Sequence, residues 1–199
     1  DSTNNLPAVF KNGAHITTDP VRGQVLDVTG STDYVDCGKD SSLSSTRFSI
    51  VHWVKSTTAP SRDKMEQTVK KLTQTGGDYS NYEFNWDHTR SDFKQSIGFY
   101  KASGGWVSSQ IVQTLQANTW YFIVSTYDGS NLNVYVDGNL SKSRYIGSDP
   151  KTGTGILWVG SGYRYGAQNN FNGYLDDVMI FTRALNATEI SDLYEQTKA

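Results

Sequence analysis

The chain has 199 residues, a formal net charge of −2 and 36% hydrophobic residues. That length buries a core without disulfide staples, and the single cysteine, Cys37, excludes an intramolecular disulfide. No Lys/Arg stripe points to nucleic acid, and no apolar run approaches the ~20 residues that span a membrane.

The inventory of 12 Tyr, 8 Phe, 5 Trp and 18 Gly favours a sheet protein, and it equally suits sugar binding. In chain order, Gly23 to Val28 reads as a strand, Gly30 to Asp33 as a turn, and Tyr34 to Cys37 as a short strand with Cys37 as a small core residue. Arg47 to Lys55 alternates with apolar groups on both faces: Phe48, Ile50 and His52 on one, Val51 and Trp53 on the other. This is the pattern of a central strand in a two-sheet sandwich. Between 60 and 74, Met65, Val69 and Leu72 have helical spacing while Glu66 to Leu72 reads equally as a strand; the surrounding strands and the Gly76-Gly77 turn favour the strand. Lys70-Lys71 reads as a solvated strand or turn.

Tyr82 to Trp86 alternates, Ser96 to Tyr100 follows, and Gly104-Gly105 turns into Val107 to Val112. Thr119 to Tyr127 is the strongest strand signal. Asn131 to Val136 runs between two Asp-Gly turns, Asp128-Gly129 and Asp137-Gly138, a hairpin signal. Gly155 to Val159 and Gly173 to Phe181 complete the strands. Asn186, with Glu189 three residues on, has capping-box spacing and opens one short helix with Ile190, Leu193 and Tyr194 on its apolar stripe. No repeat interrupts this even strand density, so residues 1–199 read as one domain. The sequons at Asn139 and Asn186 matter only in a eukaryotic secretory context.

Several stretches, in this order, resemble the laminin-G-like jelly roll of the concanavalin A-like lectin/glucanase superfamily. They are the opening through Asn12-Gly13-Ala14, the Gly30-Ser31-Thr32-Asp33-Tyr34-Val35 turn, and Phe48-Ser49-Ile50-Val51-His52-Trp53-Val54-Lys55. Asn118-Thr119-Trp120-Tyr121, Tyr127-Asp128-Gly129-Ser130 and Val134-Tyr135-Val136-Asp137-Gly138 follow, then Phe171 to Val178 and Arg183-Ala184-Leu185. The resemblance implies an all-β, two-sheet antiparallel jelly-roll β-sandwich with one short C-terminal helix. Residues 60–78 are longer than this family leads one to expect, and read as an extra hairpin or a binding rim. The resemblance also implies a secreted or cell-surface module, part of a larger extracellular protein. The sequence shows no signal-peptide pattern and opens at Asp1, so a mature or excised segment is expected.

Hydrolases of this superfamily carry closely spaced carboxylates on one strand, because glycosidic cleavage needs an acid and a nucleophile or base. Here Glu66, Glu83, Glu189 and Glu195 are the only glutamates, and none has a carboxylate two residues away on a strand. Asp176-Asp177 are adjacent and point to opposite faces of a regular strand. His15, His52 and His88 lack catalytic companions. The sequence therefore reads as non-catalytic. A carboxylate on the strand face of Val178 and Ile180 needs a partner. The resemblance implies a structural Ca2+ held by Asp176, with Asp33 and Asp1 as contributors; the alternative partner for Asp176 is a neighbouring loop's backbone amides.

For ligand binding, the segment Gly162 to Phe171 reads as a loop rich in rings and amides, with Tyr163, Arg164, Tyr165, Asn169 and Asn170 as candidates. Trp106 is a further candidate that reads also as core or edge, whereas Trp53, Trp120 and Trp158 read as core. The expected function is a carbohydrate-binding, lectin-like module for an oligosaccharide or polysaccharide. The rivals are a protein-interaction or adhesion domain and a divergent polysaccharide-degrading enzyme.

Overall fold

The computed structural model describes residues 8–59, 66–74, 79–87, 95–164 and 167–198. At 87, 163, 164, 167 and 168 it describes the backbone alone. In chain order the strands are β1 (Val9–Lys11), β2 (His15–Asp19), β3 (Gly23–Val28), β4 (Tyr34–Lys39), β5 (Phe48–Ser56), β6 (Glu66–Leu72), β7 (Ser80–Asp87) and β8 (Ser96–Tyr100). They continue as β9 (Trp106–Gln110), β10 (Tyr121–Tyr127), β11 (Asn131–Val136), β12 (Asn139–Tyr145), β13 (Ile156–Val159), β14 (Tyr163–Arg164), β15 (Ala167–Gln168) and β16 (Gly173–Phe181), followed by helix α1 (Ala187–Thr197).

Two seven-stranded sheets form the sandwich. The front sheet runs β1-β4-β13-β6-β7-β8-β9 and the back sheet β12-β11-β10-β5-β16-β3-β2. Their named strand pairs are antiparallel. The core lies between them: Phe48, Ile50, Val54, Ile123 and Leu132 from the back meet Val69, Tyr82, Phe84, Trp86, Ile97 and Phe99 from the front. Burying each such large side chain stabilises the fold by about 1.5–3 kcal/mol.

Strand β5 shows why alternation was readable. Eight of its nine residues are buried, Lys55 excepted. Phe48, Ile50 and Val54 enter the inter-sheet core. Val51 and Trp53 enter a second cluster on the outer side of the back sheet, with Phe122, Val124, Tyr135, Leu185 and Ile190. Helix α1 closes that cluster. Asn186 accepts a hydrogen bond from the Glu189 amide (2.9 Å), and Glu189 Oε2 accepts from the Asn186 amide (2.8 Å), the reciprocal capping box. His52 faces inward, its Nε2 lying 3.2 Å from Thr68 Oγ1 across the sandwich. Burial pushes its pKa down to about 3, so the ring is neutral.

The Asp137-Gly138 turn has positive φ at both residues (50° and 78°), the backbone a tight hairpin requires. Residues 66–72 form strand β6, resolving the helix-or-strand alternative. Strands β1, β2 and β12 carry no clear sequence signal. All three are sheet edges. β12, Asn-Leu-Ser-Lys-Ser-Arg-Tyr, is largely exposed and polar, so no apolar alternation announces it.

Candidate functional site

The outward face of the front sheet is built from ordinary strand alternation. On β7, Tyr82, Phe84 and Trp86 point into the core, so Glu83 and Asn85 point outward. Register then lines up one row across the face: Trp158 pairs with Lys70, Lys70 with Glu83, Glu83 with Gly98, and Gly98 with Ser108. The row carries a buried polar network. Lys70 Nζ lies 2.8 Å from Glu83 Oε2, with both side chains at most 1% exposed. Ser80 Oγ donates to Glu83 Oε2 (2.5 Å), Asn85 Nδ2 to Glu83 Oε1 (3.2 Å), and Gln67 Nε2 to Asn85 Oδ1 (2.9 Å).

Aromatic rings flank this network on both sides. Trp106 lies against Gly98, where a Cβ would come within 2.2 Å of the Trp106 ring; only glycine lets the indole rest on the sheet. The Trp106 and Tyr100 centroids are 5.4 Å apart, those of Tyr100 and Tyr79 4.7 Å, and Lys151 Nζ sits 4.2 Å from the Tyr79 ring. Trp106 and Tyr100 are half-buried, and Tyr79 is exposed. On the other side, Trp158 is half-buried and meets Tyr34 edge-on at 5.7 Å.

The β14–β15 hairpin leaves the sheet at the Gln67 end. Gln67 N donates to Asn169 O (3.2 Å), Asn169 N to Gly162 O (2.8 Å), and a Cβ on Gly162 would fall 1.7 Å from Gln67 Oε1. Among the described residues, Gln67 Oε1 and Asn169 Nδ2 are buried without a hydrogen-bond partner. Asn170 is engaged structurally: its Nδ2 donates to Ser31 O (2.5 Å) and its Oδ1 accepts from Ser161. Tyr163 and Arg164 form β14 by backbone, paired with Gln168 and Ala167, so the expected loop is a small hairpin. Their side chains, and all of Tyr165, lie outside the described residues. Trp106 and the hairpin thus occupy one sheet face from opposite ends.

Three expectations are corrected. Lys70 and Lys71 are not solvated. Both are fully buried, Lys70 against Glu83 and Lys71 donating to Gly155 O. Trp120 and Trp158 are half-buried on outer faces instead of in the core; Trp120 Nε1 donates to Asp19 Oδ1 at 3.2 Å. Asp176 and Asp177 do not point apart, because the register of β16 against β5 shifts between Asp176 and Met179 and Asp177 adopts φ 45°.

The expected calcium ligands do not fit a shared ion. Asp33 accepts from the amides of Gly13 (2.9 Å) and Gly30 (3.0 Å). Asp176 Oδ2 accepts from Arg22 Nε (2.8 Å) and its Oδ1 from the Asp177 amide (2.9 Å). Asp176 follows Leu175, the partner of Leu26, four residues short of Gly30. That is about 13 Å of extended chain, too far for ligands of one ion. Asp1 and His88 lie outside the described residues. Among the described residues no three His, Cys, Asp or Glu side chains cluster as a metal site.

Sequence reasoning missed Gln67, Lys70 and Asn85, and weighed Glu83 only as a catalytic carboxylate. The usable signal was Glu83-x-Asn85 on the polar side of β7. On β6 the extra residue Thr68, between Gln67 and Val69 in the pairing with β7, interrupts the period of two.

A laminin G family model, described as the concanavalin A-like lectin/glucanases superfamily, matches residues 29–191. A comparison with curated proteins gives no significant match. Among solved structures, domain 4 of AbnA, a GH43 extracellular arabinanase from Geobacillus stearothermophilus, in complex with arabinotriose, superposes with a TM-score of 0.77 at 16% identity. The match covers 98% of this chain and 91% of that one. The binding domain of Paraclostridial Mosquitocidal Protein 1 gives 0.73 at 17% identity, and that of botulinum neurotoxin serotype G 0.69 at 16%. The chain spans about half of these two, 48% and 47%, while 98% of it is matched in each. Among the described residues no helix is long and apolar enough to cross a membrane.

Proposed function

The chain belongs to the laminin G branch of the concanavalin A-like lectin/glucanases superfamily, and we propose that it is a secreted, non-catalytic module that binds an oligosaccharide or polysaccharide on the outward face of its front sheet. One observation carries this reading: half-buried and exposed rings, Trp106, Tyr100 and Tyr79, stand together on the outward side of the front sheet, beside a buried polar network that holds the strands beneath them. A sugar has an apolar C–H face and a rim of hydroxyls. Ring faces, negative at the π-cloud, attract the first. Hydroxyls, which both donate and accept, match amide side chains at the rim such as the half-buried Asn169. The backbone of Tyr163 and Arg164, paired with Gln168 and Ala167, lies beside Gln67 at the border of this face.

Hydrolysis is disfavoured by the state of Glu83. Both of its oxygens already accept hydrogen bonds, and one faces an ammonium group. A carboxyl so engaged is a fixed structural acceptor, poorly placed to protonate a leaving group.

The test is a glycan-array and polysaccharide pull-down comparison of wild type with Trp106→Ala and with Tyr163→Ala/Tyr165→Ala. The reading expects wild type to bind at least one glycan and Trp106→Ala to weaken it by about tenfold or more. Wild type that binds a purified protein partner and no glycan, or binding untouched by both variants, would overturn it. Reducing-end release lost in Glu83→Gln would overturn the non-catalytic part.

A further inference from the structure

The two consecutive carboxylates of β16 converge on a single side chain. Arg22 Nε lies 2.8 Å from Asp176 Oδ2, and Arg22 Nη2 lies 3.0 Å from Asp177 Oδ2. Nη1 donates to Thr197 O (3.1 Å), at the C-terminal end of α1, where a cation also complements the helix dipole. The guanidinium carbon lies 4.0 Å from the Trp53 ring centroid, and the Arg22 side chain is only 4% exposed. The turn that presents it is fixed by Asp19 Oδ1, which accepts from the amides of Val21 (2.9 Å) and Arg22 (3.1 Å).

Adjacent, partly buried carboxylates need a positive partner. A divalent ion would meet them with oxygen ligands, whereas a guanidinium meets them with a planar fork of N–H donors and can also stack on an aromatic ring. The geometry here is of the second kind: each guanidinium nitrogen has an acceptor and the plane rests on an indole. Asp177 is the more exposed of the two carboxylates at 37%, and burial and the neighbouring Asp176 push its carboxyl up against the pull of Arg22.

We propose that Arg22 takes the position of the divalent cation that the family resemblance leads one to expect at Asp176, so that the link between the β2–β3 turn, β16 and the end of α1 is independent of calcium. An arginine cannot be chelated away. Removing it leaves two carboxylates side by side, and such a pair attracts calcium.

The experiment is thermal unfolding of wild type, Asp176→Asn, Arg22→Ala and Arg22→Ala/Asp176→Asn, each in calcium chloride and in EDTA. Wild type should melt at the same temperature in both. Arg22→Ala in EDTA should melt about 10 °C lower, as for a broken buried ion pair. Calcium should recover several degrees in Arg22→Ala but nothing in the double variant. If Arg22→Ala does not fold, Arg22→Gln carries the same calcium readout. A wild-type rise with calcium that Asp176→Asn abolishes would overturn the proposal, as would arginine variants that gain no response to calcium.

Discussion

The outer faces of the two sheets start from the same strand alternation and end with opposite chemistry. Behind the back sheet, Val51, Trp53, Phe122 and Val124 form an apolar layer that α1 covers with Ile190, Leu193 and Tyr194. In front, Gln67, Lys70, Glu83 and Asn85 form a polar layer bordered by rings. A layer capped by its own helix has its apolar side chains already covered. A layer that spends a buried lysine, a glutamate and two amides has given up hydrophobic stabilisation, and such sites most often serve recognition. On the proposed function, the contrast separates a helix-covered face from the face offered to a ligand.

The contrast breaks most readily at the ion pair. Lys70→Met should destabilise the protein by about 3–5 kcal/mol in chemical denaturation, because Glu83 is left buried and charged, and adding Glu83→Gln should recover much of the loss. A single-variant cost near zero would mean that the front network is solvated surface. On the other face, Ile190→Ala should cost about 2–4 kcal/mol by opening a cavity under α1 while glycan binding stays intact; lost binding would erase the distinction between the faces.

Between the sheets, His52 supplies a pH signature. Its folded pKa, about 3, lies below the ordinary 6.5, so the unfolded chain binds the extra proton first. Stability should therefore be level above pH ~6.5 and fall by about 1.4 kcal/mol per pH unit from there toward pH 3. Urea midpoints of wild type and His52→Gln across that range read the slope, which the variant should lose. Asp19 titrates lower. Burial alone would raise its carboxyl, but Lys55, the Val21 and Arg22 amides and Trp120 outweigh that and hold it at about 2. The smallest effect is at the helix start, where Asn186→Ala should cost about 1 kcal/mol in the same assay. A cost near zero would mean that α1 is held by its apolar face alone.

The two faces were also unequally legible in the sequence. The back sheet was readable because β5, β10 and β16 alternate apolar residues in long runs, and because Asn186 and Glu189 carry a local cap signal. The front sheet was read as strands but not as a site. The pairing of β6 with β7 shifts register three times, and two adjacent lysines look solvated until Glu83 and Gly155 are seen beside them. Trp106 was readable as a candidate, yet its partner Gly98 was silent, since a glycine in a strand does not announce the ring lying on it. Asp176 and Asp177 were read from regular alternation, which a register shift and one left-handed residue overrode. Long-range pairing such as Arg22 to Asp176, 154 residues apart, leaves no local trace.

The central claim is that the front face binds sugar. Amide chemical-shift mapping of the 15N-labelled protein, titrated with arabinotriose and with gluco-, manno- and galacto-oligosaccharides, tests it most directly. The account predicts saturable shifts centred on β6 to β9 and on Asn169, with α1 undisturbed. Shifts centred on α1 and the back sheet, or none with any of these sugars, would contradict it.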